Sequence, residues 1–387
     1  MTLRVIIDKM QSQMGDIIMG RINLLVKPTN QCNLRCKYCF HEKYGYGKKI
    51  LEIDKLKKFV DMLTPVYKSI NIVWHGGEPL MVPLDFYEEA YDFIDKKDAE
   101  FSFSIQTNGT LITPKIVDFF KKRNTNFGLS FDGQDNEYTR SHTSEIIDNI
   151  KLLQANQFRP GAILVVTKRN VNQLVEEYNY FDSLGMGVKF NPMFIEGAAE
   201  SSLDLALDVD QYVAEFINFF KHWATDSKGK INVSPCIELV NLILNNHSSL
   251  CTFNSCLGKW LCLDSDARIY PCDRLCDEQY TLGNVDTLSS IGDLFSSKAF
   301  INLISKSISR RKECIDSCDY YNNCYSGCNA NAILNGSEQY PNGIACYLHK
   351  EILKGIKDLV LESALCNDID SLNPQYAKLL RKTNKSL

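Results

Sequence analysis

Six short runs rich in β-branched and aromatic residues punctuate the first half of the chain. They are INLLVKPT (22–29), SINIVWHG (69–76), FSFSIQTN (101–108), NFGLSFD (126–132), GAILVVT (161–167) and GVKFNPM (187–193), and each reads as a strand. Helical patterns lie between them. LEIDKLKKFVDML places Ile53, Leu56, Val60 and Leu63 on one face, TPKIVDFF offers Thr113 as N-cap with Pro114 in the first turn, and VNQLVEEYNYF aligns Val171, Leu174, Val175, Tyr178 and Phe181. Strands alternating with helices require parallel pairing, right-handed crossovers and reactive groups at the C-terminal strand ends. Six units rather than eight predict an α/β fold of open form, a partial (β/α)6 TIM-like barrel, with room for a substrate larger than a metabolite. After residue 193 the alternation stops. Helical patterns at DQYVAEFINFFKHW (210–223) and ELVNLILNN (238–246) lead into a region dense in cysteine. The predicted division is an N-terminal segment (1–20), the partial barrel (21–200), a helical connection (201–250), a cysteine-rich domain with a small β-hairpin and helices (251–350), and a C-terminal helix and tail (351–387).

Fifteen cysteines in 387 residues would suit a disulfide framework only in a small secreted domain. The opening MTLRVIIDKM is charged early and lacks a long apolar core, so reduced thiols in a cytoplasmic protein are expected. No run approaches the ~18 apolar residues of a membrane span. A net charge of −4 argues against an electrostatic grip on nucleic acid. The basic residues of KLLRKTNKSL (378–387) read as a solvated end. Neither a nucleic-acid nor a membrane partner is expected.

Cys32, Cys36 and Cys39 stand in CNLRCKYC, directly after the first strand. A cubane [4Fe–4S] cluster needs one thiolate per iron, and a tight loop can bring three while leaving the fourth iron open to a ligand. Zinc usually pairs CxxC with a second Cys/His pair, whereas here three thiols crowd together with no fourth nearby. The spacing, with Tyr38 before the last cysteine, resembles the signature of the radical S-adenosylmethionine (SAM) superfamily. That resemblance implies that the open iron chelates SAM, whose reductive cleavage yields a 5′-deoxyadenosyl radical. The loop after the second strand, His75–Gly76–Gly77–Glu78–Pro79, matches the GGEP motif of the same superfamily. Its two glycines permit close backbone approach to a ligand, and its exposed backbone groups suit the methionyl amine of SAM. At later strand ends Gln106, Thr107, Ser130 and Asp132 resemble groups that line the SAM pocket in relatives, although turn residues at strand ends read the same way.

The later cysteines resemble a SPASM domain, which holds two auxiliary [4Fe–4S] clusters in radical SAM enzymes that modify peptides and proteins. The resemblance assigns one cluster to Cys251, Cys256, Cys272 and Cys328 and the outer one to Cys314, Cys318, Cys324 and Cys346. Three [4Fe–4S] clusters in all are thus expected. Two departures are visible: Ala267 stands where a Gly is usual before the PC cysteine, and the late group begins CxxxC instead of CxxC. Cys236, Cys262, Cys276 and Cys366 are left over. Cys262 reads as core packing on a strand within the cysteine-rich region, while Cys276 is open between replacing Cys251 as a ligand and acting in catalysis. One or two structural zinc sites are the alternative for this region.

Two functional classes follow from the resemblance. The first is a maturase of ribosomally synthesised peptides, forging thioether or carbon–carbon crosslinks. The second is an anaerobic sulfatase-maturating enzyme, which oxidises Cys or Ser to formylglycine. Asp273 matches a general-base position of the second class and can accept a proton from a thiol or hydroxyl, although a hairpin-end Asp reads equally well. VWHGGEPL and the absence of CxC at the first auxiliary site point toward the peptide maturase. The short stretch before residue 22 is too short for a separate leader-recognition domain and points the other way, but some peptide maturases lack one, and the peptide maturase is the favoured expectation with the sulfatase-maturating enzyme as the alternative. A non-catalytic iron–sulfur electron carrier fits poorly, because an open iron defeats simple electron transfer. The expected partners are a precursor peptide, or a sulfatase, and an electron donor such as flavodoxin or ferredoxin.

Overall fold

The computed structural model describes residues 20–254, 256–334, 343–364 and 371–384. Nearly all of the predicted N-terminal segment, Cys366 and the last residues of the basic tail lie outside the described residues. Labels are given to strands and to helices of nine or more residues. The barrel runs β1 (Arg21–Val26), α1 (Ile53–Leu63), β2 (Ser69–Trp74), α2 (Leu84–Ile94), β3 (Glu100–Thr107), α3 (Pro114–Lys122), β4 (Thr125–Ser130), α4 (Thr143–Ala155), β5 (Gly161–Val166), α5 (Leu174–Ser183) and β6 (Gly187–Pro192). All six strands are parallel and neighbour one another in chain order. The predicted partial (β/α)6 barrel is therefore present.

Alternation along each strand decides what faces where. Ile22, Leu24 and Val26 of β1 and Ile70, Ile72 and Trp74 of β2 are buried in one core with Leu56, Phe59, Val60 and Leu63 of α1. Full burial of each such side chain contributes roughly 1.5–3 kcal/mol, so this layer carries the barrel. The opposite face is polar. Asn71 donates to Asn23 (3.1 Å), Ser102 donates to Asn71 (2.9 Å), and Gln106 donates to Ser130 (3.0 Å). Pro114 begins α3, and Thr113 accepts from the Ile116 N–H as its N-cap.

The sheet does not end with the barrel. Beyond β6 comes β7 (Val233–Ser234), between α6 (Val209–Thr225) and α7 (Cys236–Asn245). On the other edge β8 (Trp260–Leu263) runs parallel to β1, with Asn23 opposite Trp260 and Val26 opposite Leu263. β9 (Arg268–Tyr270) and β10 (Gly283–Asn284) follow antiparallel, giving ten strands in the order β10-β9-β8-β1-β2-β3-β4-β5-β6-β7. The predicted hairpin arm thus joins the barrel directly. In the turn before β9, Ala267 takes φ +65°, a left-handed conformation that glycine adopts more cheaply. Alanine here holds the left-handed conformation in place of glycine.

The C-terminal part differs from its expectation as a helix with a solvated tail. Besides α8 (Lys298–Ser317) and α9 (Ile344–Ala364), a further helix α10 spans Pro374–Asn384. Its Tyr376, Ala377 and Leu380 are buried, and Tyr376 lies 5.7 Å from Trp223 between ring centres. Lys378, Arg381 and Lys382 remain exposed, as the composition requires. Among the described residues no helix is long and apolar enough to cross a membrane.

Candidate active site

The three-cysteine loop leaves the C-terminal end of β1 and is held by its neighbours from several sides. Lys37 N donates to Thr139 O (3.0 Å), Asn108 donates to Asn33 (2.9 Å), and Asn33 donates to Thr110 (2.8 Å). Leu34 N and the Asn108 amide approach Cys32 Sγ at 3.4 and 3.9 Å, and Arg140 Nη1 approaches Cys36 Sγ at 3.7 Å. Burial pushes the Cys32 thiol up to about 11 against the pull of the Leu34 N–H, and the nearby Glu78, Cys36 and Cys39 add to the rise. Such thiols ionise only when a cationic centre joins them, which is what an iron cluster provides. Among the described residues no three cysteine sulfurs lie within 4.8 Å of one another. Four thiolates on a single zinc would stand ~3.8 Å apart, given bonds of about 2.3 Å.

Tyr38 and Asp132 clamp this loop to the barrel. The Tyr38 hydroxyl donates to Asp132, whose carboxylate also accepts from Thr139 (2.6 Å), Arg140 Nε (3.2 Å) and the Val165 N–H (3.0 Å). Asp132 is fully buried. Both carboxylate oxygens are engaged by protein donors, so Asp132 fixes Tyr38 and Arg140 beside the cysteine loop.

The GGEP loop is tied closely to the cysteine loop. A Cβ on Gly76, at φ +118°, would stand 2.4 Å from Thr29 O, and one on Gly77 would stand 2.3 Å from Gln31 O. Gly77 N and Glu78 N donate to Thr29 O (3.1 Å) and Gln31 O (2.8 Å). The close approach is thus to the cysteine loop's own backbone. Glu78 is fully buried and accepts from Leu80 N (3.0 Å), Thr107 Oγ1 (2.7 Å) and Asn108 N (2.8 Å). Burial pushes its carboxyl up to about 7 in spite of those three donors. Pro79 is buried and opens the short turn that follows. Thr107 belongs to the same tie. Gln106 and Ser130, paired on the polar face, are the half-buried strand-end groups that remain available to a ligand.

Asp273 follows Cys272 in the loop after β9 and reaches the ends of β1 and β2. One ring nitrogen each of His41 and His75 and a carboxylate oxygen of Asp273 lie within 4.8 Å of one another. The two imidazoles stack at 5.8 Å between centres, and His41 is buried. Lys27, fully buried, donates from Nζ to Cys276 Sγ (3.1 Å) and to the Asp273 backbone carbonyl (3.4 Å). Burial would raise the Asp273 carboxyl, but the charges of His75 and Lys27 outweigh it and hold the group below the usual carboxylate range. It is therefore an ionised base in a recessed position.

The eight predicted auxiliary ligands fall into two groups. Cys256 feels Cys328 and Cys251 as its nearest charges, and Cys272 feels Cys328 and Cys256. Burial followed by those neighbours pushes Cys256 up to about 12. Cys314, Cys318, Cys324 and Cys346 line a cavity with Arg310 and Tyr320, and Cys328 of the first group also reaches its wall. Cys276 faces Lys27 and Cys262, apart from the first group. Cys262 is fully buried on β8, in line with packing, and Cys236 is buried at the start of α7.

Lys27, His41, His75, Arg140 and Asn108 carry much of the site's geometry without having been singled out. Two had a visible signal: Lys27 is a lone charge ending an apolar strand, and His75 immediately precedes the paired glycines.

Residues 26–181 match the profile of the radical SAM superfamily. The cysteine-type anaerobic sulfatase-maturating enzyme of Clostridium novyi is 27% identical over 350 residues, covering 84% of this chain and 91% of that protein. Among solved structures, native anSMEcpe with bound AdoMet and Kp18Cys peptide superposes with a TM-score of 0.79 at 23% identity, covering 88% of this chain and 98% of that one. Streptococcus suis SuiB bound to precursor peptide SuiA gives 0.62 at 17% identity, covering 87% and 79%. These likenesses agree with the observed barrel and with SAM and iron–sulfur chemistry at its mouth.

Proposed function

Residues 26–181 being a radical SAM domain in an enzyme that modifies a protein or peptide residue, we propose that its reaction is oxidation of a cysteine side chain in a sulfatase segment to formylglycine. The observation that carries this reading is the recessed, ionised Asp273 directly after Cys272. Loss of a hydrogen atom, an electron and the thiol proton from a cysteine side chain leaves a thioaldehyde that water hydrolyses to the aldehyde with release of sulfide; a thioether crosslink needs the same thiol proton removed, whereas a carbon–carbon crosslink does not. The sulfatase-maturating relatives support the same choice over the peptide crosslink that the HGGEP sequence and the missing CxC favoured.

When bound, the first cluster and SAM supply a carbon radical that removes one hydrogen atom, and auxiliary clusters supply a one-electron sink. Cys32, Cys36 and Cys39 would hold the first. Cys251, Cys256, Cys272 and Cys328 would hold an inner auxiliary cluster, and Cys314, Cys318, Cys324 and Cys346 an outer one, three clusters in total. Gln106 and Ser130 would orient SAM, while Tyr38, Asp132 and the Gly76–Pro79 turn hold the loop that presents it. Asp273 takes the substrate's proton beside Cys272, so proton and electron leave at adjacent residues. A small carrier such as flavodoxin or ferredoxin, in the cytoplasm, would deliver the first electron.

The test is anaerobic incubation of reconstituted enzyme, SAM and reductant with a cysteine-containing sulfatase peptide and its serine counterpart. The expected product is an aldehyde that hydrazide reagents capture. Asp273→Asn should lower its formation by about 10²–10⁴-fold while SAM cleavage persists. Loss of hydrogen from a short precursor peptide, with a fragmentation-resistant crosslink and no aldehyde from either sulfatase peptide, would establish the crosslinking maturase instead.

A further inference from the structure

Most of the titratable groups at the mouth of the barrel are explained by the loops they hold. The two histidines are not. Neither His41 Nε2 nor His75 Nδ1 has a hydrogen-bond partner, although both atoms are buried. An imidazole nitrogen left in that state costs about 1–3 kcal/mol unless something meets it. Two such rings belong to different elements, one in the turn Phe40–Tyr44 and one at the end of β2, yet they converge on the same carboxylate.

We infer that His41, His75 and Asp273 form a binding site for one divalent transition-metal ion, distinct from the iron–sulfur clusters. Three observations carry the inference. The three side chains are, among the described residues, the sole set of histidine, cysteine or carboxylate ligand atoms mutually within 4.8 Å. Two imidazoles and a carboxylate form the donor set that binds Zn²⁺ or Fe²⁺ and leaves coordination positions open. Lys27 hydrogen-bonds Cys276 Sγ (3.1 Å) and the Asp273 backbone carbonyl (3.4 Å), so its charge acts on the carboxylate without a hydrogen bond that would occupy a carboxylate oxygen. The Asp273 Oδ1 partner is the Cys272 thiol at 3.5 Å. Once Cys272 binds iron as a thiolate it has no proton to donate, and the carboxylate is free for a metal.

Metal bonds of about 2.0–2.2 Å require ligand atoms roughly 3.0–3.5 Å apart, so side chains now within 4.8 Å of one another close by at most about 1.3–1.8 Å on binding, by small side-chain rotations. Asp273 supplies one oxygen and retains the other. If the oxidation proposed above is the reaction, the ion's open position lies where the substrate's sulfur must lose its proton, and its charge would favour the thiolate. Only that last step rests on the formylglycine reading; the site itself does not.

Metal binding is measured without turnover. Cluster-loaded enzyme is treated with mild chelator, given Zn²⁺, desalted and assayed for zinc, iron and sulfide. Wild-type protein should retain about one zinc beyond its clusters. His75→Ala, and separately Asp273→Asn, should weaken zinc binding by about 100-fold with iron and sulfide unchanged. Anomalous diffraction of zinc-loaded wild-type crystals at the zinc edge guards against misfolded variants, and its expected peak lies between His41, His75 and Asp273. Absence of that peak, a peak at the cluster cysteines alone, or zinc retention unchanged by both variants would overturn the site. Failure of zinc to bind leaves the aldehyde assay intact, and failure of the aldehyde assay leaves the zinc peak intact, so the two readings fall separately.

Discussion

The barrel and the cysteine-rich region solve the same problem, placing thiols, by opposite means. In the barrel, three cysteines ride on one loop, and that loop is gripped by a sheet whose outer layer is apolar and fully buried. Beyond β8 the strands are two to three residues long, and the eight thiols are scattered over short turns and helices, with Cys314 near the end of α8 and Cys346 near the start of α9. The first region has a fold that carries a cluster. The second shares the barrel's apolar core through residues such as Leu263, Ile269, Val285, Leu294 and Ile352, while the segments that carry its thiols are expected to draw on the metal they bind.

The strongest attack on this contrast changes Cys32, Cys36 and Cys39 together to Ala. SAM cleavage should fall to background, while far-UV circular dichroism and thermal unfolding of the barrel change little. Unfolding of the whole chain would show that the barrel, too, depends on its cluster. Next in size, Cys328→Ala and Cys346→Ala should each remove a different auxiliary cluster and expose the region after β8 to protease, with fragments ending before β8 surviving. Equal loss of both auxiliary spectroscopic signals in either variant would contradict the grouping of thiols.

Gly77→Ala sharpens the barrel side. Its Cβ would meet Gln31 O at 2.3 Å, and backbone against backbone has no flexible side chain to yield. A loss of about 2–4 kcal/mol is expected, together with weaker cluster retention, read by denaturant unfolding and iron content. Retention of both would mean that the two loops can slide apart.

The smallest effect is electrostatic. Burial, followed by like charges, pushes the Glu177 carboxyl up to about 7 from an ordinary 4.5, against the Gln134 N–H that donates to it. Its folded-state value is raised, so the unfolded chain loses its proton first, and stability falls as pH rises from about 4.5 to 7. Glu78 acts with the same sign. Glu177→Gln should flatten that slope by at most about 3 kcal/mol, at roughly 1.4 kcal/mol per pH unit. An identical slope in variant and wild type, measured by denaturant unfolding at each pH, would remove Glu177 from the account.

What could be read in advance follows from range. The six barrel strands and their helices repeat patterns two to four residues long, so Ile70, Ile72 and Trp74 announce a buried face by themselves. The cysteine spacing is equally local. Glu78 and Asp132 carry no local mark that separates a ligand-binding carboxylate from one saturated by Thr107 and Asn108, or by Tyr38 and Arg140; the difference lies in partners brought by folding. The meeting of Lys27, His41, His75 and Asp273 joins β1, β2, the cysteine loop and the turn after β9, and no pattern in any one of them encodes it.

The pairing of β1 with β8 has a consequence for how the molecule is made. Asn23 must wait for Trp260 before its strand edge is closed, and contacts of such sequence separation form late and slowly. During synthesis the barrel emerges first, its β1 edge unpaired and open to adventitious strand addition. The loop of Cys32, Cys36 and Cys39 leaves that same strand, so a cluster inserted early would arrive while the barrel's flank is still exposed, and arrival of the last third of the chain would shut it in.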